Sequence, residues 1–118
     1  MQISKQNINP LLQKQLNQML YQLFCDINTP IEAEMVLRDF LSKTELVAIT
    51  KRLGIMYWLH KKRSYENIKQ NLKVSSATIA DAKQASKRPG AKLAMEKISA
   101  EEWAGQIEQK IKNVFKRK

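Results

Sequence analysis

The sequence contains few of the residues on which catalytic and disulfide-rich proteins depend. Its 118 residues include one cysteine, Cys25, and one histidine, His60, together with three glycines and three prolines. A single cysteine cannot form an intrachain disulfide, and a single histidine excludes zinc motifs built from histidine pairs. Three scattered glycines leave no Gly-rich loop to hold a phosphate group. We therefore expect no enzyme, no metal site and no cofactor.

Long apolar runs are also missing. The longest extends from Ile55 to Leu59, far short of the roughly 20 residues that cross a bilayer. The first thirty residues contain no charged segment followed by a long apolar run, so we expect neither a signal peptide nor a membrane partner. The sequence predicts a cytoplasmic protein of one domain, residues 1–118.

Acidic residues are scarce in the middle of the chain. The sequence has 21 Lys and Arg against 11 Asp and Glu, a formal net charge of +10. Residues 43–92 hold twelve basic and three acidic residues, whereas residues 1–42 hold three basic and four acidic residues. Charge that only increases solubility would be spread more evenly along the chain. Positive charge concentrated in this way therefore indicates an anionic partner.

Capping residues and prolines divide the chain into helices. Asn9-Pro10 and Thr29-Pro30 each predict the start of an amphipathic helix within residues 9–41, because asparagine and threonine cap helices and proline suits the first turn. Cys25 lies on the first of these helices, and we expect its side chain to be buried.

Two Ser-x-x-Glu patterns predict further helix starts. Ser42 to Glu45 opens a central helix over residues 42–60, which is apolar on several sides and should be covered by neighbours. After a break at Pro89-Gly90, Ser99 to Glu102 opens a C-terminal helix over residues 99–117. Since no segment alternates with the period of a half-buried strand, we predict an all-α domain of about six helices.

Residues 64–86 have the spacing of a helix-turn-helix. The spacing fits two short helices that cross steeply, and it does not fit one amphipathic helix. Ser75 or Ser76 is placed to cap the second helix. Lys73 occupies the turn position where glycine is common, and a left-handed backbone there costs about 1 kcal/mol. The apolar residues that define the spacing are Ile68, Leu72, Val74, Ile79 and Ala82.

The second helix of this unit carries small and polar side chains that suit the major groove of DNA. Small side chains allow close approach to base edges, and lysine and glutamine can bond the acceptors there. The residues expected near bases are Ser76, Ala77, Ala80, Lys83 and Gln84. Contacts to phosphate give affinity and register. The residues expected to make them are Lys61, Lys62, Arg63, Lys73, Ser75, Thr78, Lys87 and Arg88.

The run of residues 64–80 resembles the reading head of the Trp repressor superfamily, especially its YerC/YecD branch. Agreement is strongest at Ser64, Tyr65, Ile68, Leu72, Val74, Ser75, Ala77, Thr78 and Ile79. The resemblance covers about residues 10–98 and includes the segment 40–45 and the pair Lys51-Arg52. It implies an intertwined homodimer that places two reading helices in successive major grooves. It also implies that Lys69, Ser76, Ala77 and Ala80 approach bases.

The same resemblance bears on an effector pocket. In the Trp repressor two arginines sandwich the tryptophan co-repressor, and Arg52 matches the first of them. Asp81 matches the second, and its carboxylate would repel the carboxylate of tryptophan. We therefore expect no response to tryptophan and leave any other effector open. An ion pair between Asp81 and Arg52 would close this pocket.

The leading prediction is a sequence-specific, DNA-binding transcriptional regulator that binds double-stranded DNA as a homodimer, and by resemblance a repressor. One alternative is a DNA-end-binding accessory subunit of a transposition system. Another is a protein–protein or RNA-binding adaptor, in which the helix-turn-helix is only a corner of a helical bundle.

Overall fold

The described residues form six helices and no strand. The computed structural model describes residues 3 and 5–116, without the side chains of residues 104, 106–108 and 110–116. The helices are α1 (Pro10–Asp26), α2 (Pro30–Phe40), α3 (Lys43–His60), α4 (Tyr65–Leu72), α5 (Ser76–Ala85) and α6 (Pro89–Lys116). The predicted all-α class with about six helices is confirmed.

The chain divides into two compact units. The first, Met1–Leu46, contains α1, α2 and the first turn of α3. The second, Val47–Lys118, contains the rest of α3 together with α4, α5 and α6. The predicted helix-turn-helix therefore lies wholly within the second unit.

Side-chain caps start α1 and α2 as the sequence predicts. The Asn9 side chain accepts a hydrogen bond from the backbone N–H of Leu11 at 2.9 Å. The Thr29 hydroxyl accepts one from the backbone N–H of Glu32 at 3.2 Å. These bonds satisfy N–H groups that have no partner within the helix.

A reciprocal capping box starts α3. The Ser42 hydroxyl accepts a hydrogen bond from the Glu45 backbone N–H at 3.1 Å, and the Glu45 carboxylate accepts one from the Ser42 backbone N–H at 2.8 Å. The hydrogen bond from the Ser42 backbone N–H lowers the pKa of Glu45 most, and the hydrogen bond with the Ser42 side chain lowers it further. The carboxylate therefore takes part in the cap in its charged form.

The end of α3 has the hydrogen bonds of a Schellman motif. The Arg63 backbone N–H donates to the Trp58 carbonyl at 2.9 Å, and the Lys62 backbone N–H donates to the Leu59 carbonyl at 2.9 Å. Lys62 has a φ of 62°, in the left-handed region that glycine favours. This turn redirects the chain into α4.

The core of the second unit joins α3, α4 and α5. Gly54 allows α4 to approach α3 closely, because a Cβ at this position would lie 3.3 Å from Leu72 Cδ1. The buried residues of this core are Ile55, Ile68, Ile79 and Ala82, and the partly buried residues packed against them are Trp58, Leu59, Leu72 and Val74. All five apolar positions of the predicted helix-turn-helix thus contribute to this core.

The predicted C-terminal helix begins ten residues too late. α6 starts at Pro89 and continues through Ser99 without a break. Proline suits a first helical turn, and the residues after it include the strong helix formers Ala91 and Leu93. Ser99 is therefore not a helix cap, and its hydroxyl instead lies 3.4 Å from Nε2 of His60. Arg117, the predicted last residue of the helix, lies outside the described residues.

The helices of the first unit leave most of their apolar side chains exposed. Neither α1 nor α2 contains a buried residue. Between them lies an apolar groove of about 460 Å³, lined by Leu20, Leu23, Phe24, Ile27, Ala33, Val36, Leu37, Phe40 and Leu41. The prediction that Cys25 is buried is wrong for a single chain, because its side chain is exposed.

Candidate nucleic-acid interface

The helix-turn-helix is formed by α4, a short turn and α5. Ser64 caps α4 by accepting a hydrogen bond from the Asn67 backbone N–H at 3.1 Å. Ser75 caps α5 by accepting one from the Thr78 backbone N–H, also at 3.1 Å. Lys73 ends α4 with φ 56° and ψ 52°. The predicted left-handed turn at this lysine is confirmed.

One face of α5 is exposed. Ile79 and Ala82 point into the core, so the residues on the opposite side of the helix remain exposed. The exposed residues include the five residues of α5 that were predicted near bases: Ser76, Ala77, Ala80, Lys83 and Gln84. Lys69, on α4, is exposed as well.

The hydroxyl groups of Ser75 and Thr78 contact one another at the start of α5. Their oxygens lie 2.9 Å apart, and both residues are exposed. A hydroxyl can donate one hydrogen bond and accept others. Both groups therefore retain capacity to bind a further acceptor or donor at this helix start.

Two of the predicted phosphate-binding cations are held by neighbouring side chains. The Arg63 guanidinium lies 4.5 Å from the centroid of the Trp58 ring, a cation–π contact that limits its motion. The Lys61 ammonium forms an ion pair with Glu102 at 2.9 Å, and the Tyr57 hydroxyl donates to the same carboxylate. Lys61 therefore has an internal anionic partner, which competes with phosphate.

The remaining cations surround the helix-turn-helix on the surface. Most of them lie near the ends of α3, α4 and α5 or in the turns that follow these helices. Lys83, on α5, lies 5.7 Å from the centroid of the Tyr65 ring at the start of α4. The other cations predicted to contact DNA are exposed and form no ion pair among the described residues: Lys62, Lys69, Lys73, Lys83, Lys87 and Arg88.

Arg52 and Asp81 line one cavity, as the predicted effector pocket requires. This cavity has a volume of about 480 Å³ and is also lined by Lys51, Thr78 and Arg88. Within the described part of the chain, Arg52 and Asp81 form no ion pair. The ion pair that would close the pocket is therefore not formed in the structure.

The capped helix-turn-helix lies within a stretch of the chain that matches a known family. A family model described as Trp repressor protein matches residues 6–98. The chain belongs to the Trp repressor protein family. Membership supports a helix-turn-helix DNA-binding regulator, and the match ends within α6. Comparisons with curated proteins and with solved structures gave no match.

Two further findings bear on the class of protein. No described helix is long and apolar enough to cross a membrane. Among the described residues, no group of three or more His, Cys, Asp or Glu side chains could hold a metal ion.

Sequence reasoning missed the contacts that hold Lys61 and Arg63 in place. Lys61 and Glu102 are 41 positions apart in the sequence, so no local pattern pairs them. The stacking of Arg63 on Trp58 depends on the left-handed turn at Lys62, which reverses the chain direction. A basic run that begins three residues after Trp58 was the only local signal of this contact.

Proposed function

We propose that this protein is a sequence-specific transcriptional regulator that binds double-stranded DNA as a homodimer and represses transcription by occupying its operator. The observation that carries the proposal is the exposed face of α5, which holds small and polar residues and is bordered by unpaired cations. A helix of this kind fits the major groove, where small side chains let its backbone approach the bases.

The exposed apolar side chains support the homodimer. Large apolar residues on α1 and α2 are freely accessible in the single chain, including Phe24 at 76%, Ile31 at 74% and Phe40 at 69% exposure. Soluble proteins rarely leave a continuous apolar surface of this kind uncovered. Within the second unit, Val47 and Ile49 of α3 are exposed as well, although the sequence predicts that this helix is covered.

The proposal is tested by selecting genomic DNA fragments with the purified full-length protein and measuring affinity for the selected fragment. We expect an inverted repeat with half-sites one helical turn apart. We also expect log affinity to fall with log salt concentration, with a slope of about −0.9 for each phosphate contacted. No selected sequence and no binding to duplex DNA at low salt would contradict the proposal and favour an adaptor.

Ala80→Glu tests the placement of the reading helix. Ala80 is exposed on α5, so a glutamate there should leave the fold intact but repel phosphate and obstruct the groove. We expect specific binding to fall by about a hundredfold or more, measured by fluorescence anisotropy. Ala100→Glu is a matched control, because it adds the same charge at an exposed position of α6. Equal effects of the two substitutions would contradict the assigned interface.

We further propose that tryptophan is not the effector. Its carboxylate would face Asp81 across the cavity that also contains Arg52. Isothermal titration calorimetry should detect no micromolar binding of tryptophan to the unaltered protein. Asp81→Arg places at this position the second arginine that the family resemblance implies and should gain affinity for tryptophan, whereas Asp81→Asn, which only removes the charge, should gain less. Micromolar binding to the unaltered protein would contradict this proposal.

A further inference from the structure

A cavity of the second unit lies among α3, the end of α5 and α6. It has a volume of about 850 Å³, within the range of roughly 300–1,000 Å³ typical of ligand pockets. It shares no residue with the cavity that contains Arg52 and Asp81. It is therefore a separate place where a ligand can bind.

The lining of this cavity combines an apolar surface with positive charge. Its apolar residues are Met56, Leu59 and Met95, of which Met95 is 6% exposed. Its charged residues are Lys83, Lys87, Lys92 and Glu96, and His60, Ser86 and Ser99 complete it. Three lysines against one glutamate leave an excess of two positive charges.

The three ammonium groups lack carboxylate partners. Among the described residues, none of Lys83, Lys87 and Lys92 forms an ion pair. Unpaired ammonium groups beside apolar surface attract an anion, because the apolar surface excludes water and strengthens the attraction. A small polar anion would leave the methionine and leucine side chains uncovered. The lining thus suits an anion that also has an apolar body.

We propose that this cavity binds a small carboxylate with an apolar body and that binding releases the protein from DNA. The second part rests on the proposed function. Lys83 and Lys87 line the cavity and are also assigned to the DNA interface. A bound carboxylate offsets one positive charge among these cations and so weakens their attraction for the phosphate backbone. Lys92 lines the cavity but is not assigned to DNA, so it separates the two activities.

Octanoate is a suitable probe, with 1-octanol as its uncharged counterpart. Isothermal titration calorimetry with the full-length protein should show saturable binding of octanoate and much weaker binding of octanol. Lys92→Gln should weaken octanoate binding about tenfold, through loss of one charge-assisted contact. Lys97→Gln is the matched control, because Lys97 is an exposed lysine of α6 that does not line the cavity. It should leave octanoate binding unchanged.

The effect on DNA is measured with the selected fragment at constant ionic strength. Octanoate should lower the DNA affinity of the unaltered protein about tenfold and should affect Lys92→Gln only at proportionally higher octanoate concentrations. Without octanoate, both proteins should bind DNA alike, which tests the proposed function separately.

Four outcomes would contradict this inference. Absence of octanoate binding, for example because a second copy of the chain covers the cavity, would overturn the proposed site. Equal binding of octanol or equal effects of the two lysine substitutions would also overturn it. Octanoate binding without loss of DNA affinity would overturn the release.

Discussion

Two lysines adopt a backbone conformation that favours glycine. Lys73 and Lys62 have φ values of 56° and 62°. The first was predictable, because the apolar spacing places the helix-turn-helix turn at residue 73. The second was not, because it depends on where α3 ends and on the Schellman bonds formed there. At both positions a cationic side chain extends from a tight turn beside the candidate interface.

Lys73→Gly should stabilise the protein. Glycine relieves a left-handed strain of about 1 kcal/mol, and the greater freedom of the unfolded chain offsets half of this gain or more, leaving at most about 0.5 kcal/mol. Urea unfolding followed by circular dichroism measures the change in the free energy of unfolding. Lys69→Gly is the control, since it places glycine inside α4 at an exposed site and should cost about 1 kcal/mol. A loss of stability in Lys73→Gly would show that the lysine side chain makes a compensating contact.

The starts of the helices were predictable where a cap follows a clear interruption. Ser42 and Glu45 form the reciprocal box that their spacing indicates. Ser99 and Glu102 have the same spacing but lie inside α6, where Glu102 instead contacts Tyr57 and Lys61. A capping pattern thus starts a helix only where the chain is not already helical: α2 has ended at Phe40 before Ser42, whereas α6 is continuous from Pro89 through Ser99. Between Pro89 and Ser99 nothing interrupts the helix.

The cap of α3 should make stability depend on pH. The folded-state pKa of Glu45 is lowered from an ordinary value of 4.5. Its stabilising contribution is therefore complete above about pH 4.5 and disappears as the pH falls through the folded-state pKa. Glu45→Gln should lower the Tm at pH 7, and the difference from the unaltered protein should shrink below pH 4.5.

Ser42→Ala provides the comparison for this experiment. It removes the serine hydroxyl but keeps the backbone N–H, whose bond is the larger cause of the lowered pKa of Glu45. The variant should be less stable but should retain most of the pH dependence. A constant Tm difference for Glu45→Gln between pH 7 and pH 3 would contradict the assigned role of the carboxylate.

The described part of the chain has a small core and extensive exposed apolar surface. The sequence identifies the apolar faces of α1 and α2 correctly, but periodicity does not reveal whether the same chain covers them. Among the described residues of the single chain, the buried ones lie on α3, α4, α5 and α6, and none lies on α1 or α2. The candidate interface, in contrast, follows from local features: caps, a turn and one exposed helix face. For this reason the helix-turn-helix was predictable in more detail than the surroundings of the N-terminal helices.

Burial of these faces between two copies makes the mass and the stability depend on concentration. Light scattering should give twice the chain mass of 13.7 kDa, and the Tm should rise with protein concentration. Phe24→Glu puts a charge into the apolar groove between α1 and α2 and should shift the protein toward monomer or unfolded chain. Gln18→Glu adds the same charge to α1 outside the groove and should leave the dimer intact. A monomeric mass at all concentrations, with a Tm independent of concentration, would show that this surface is not a homodimer interface.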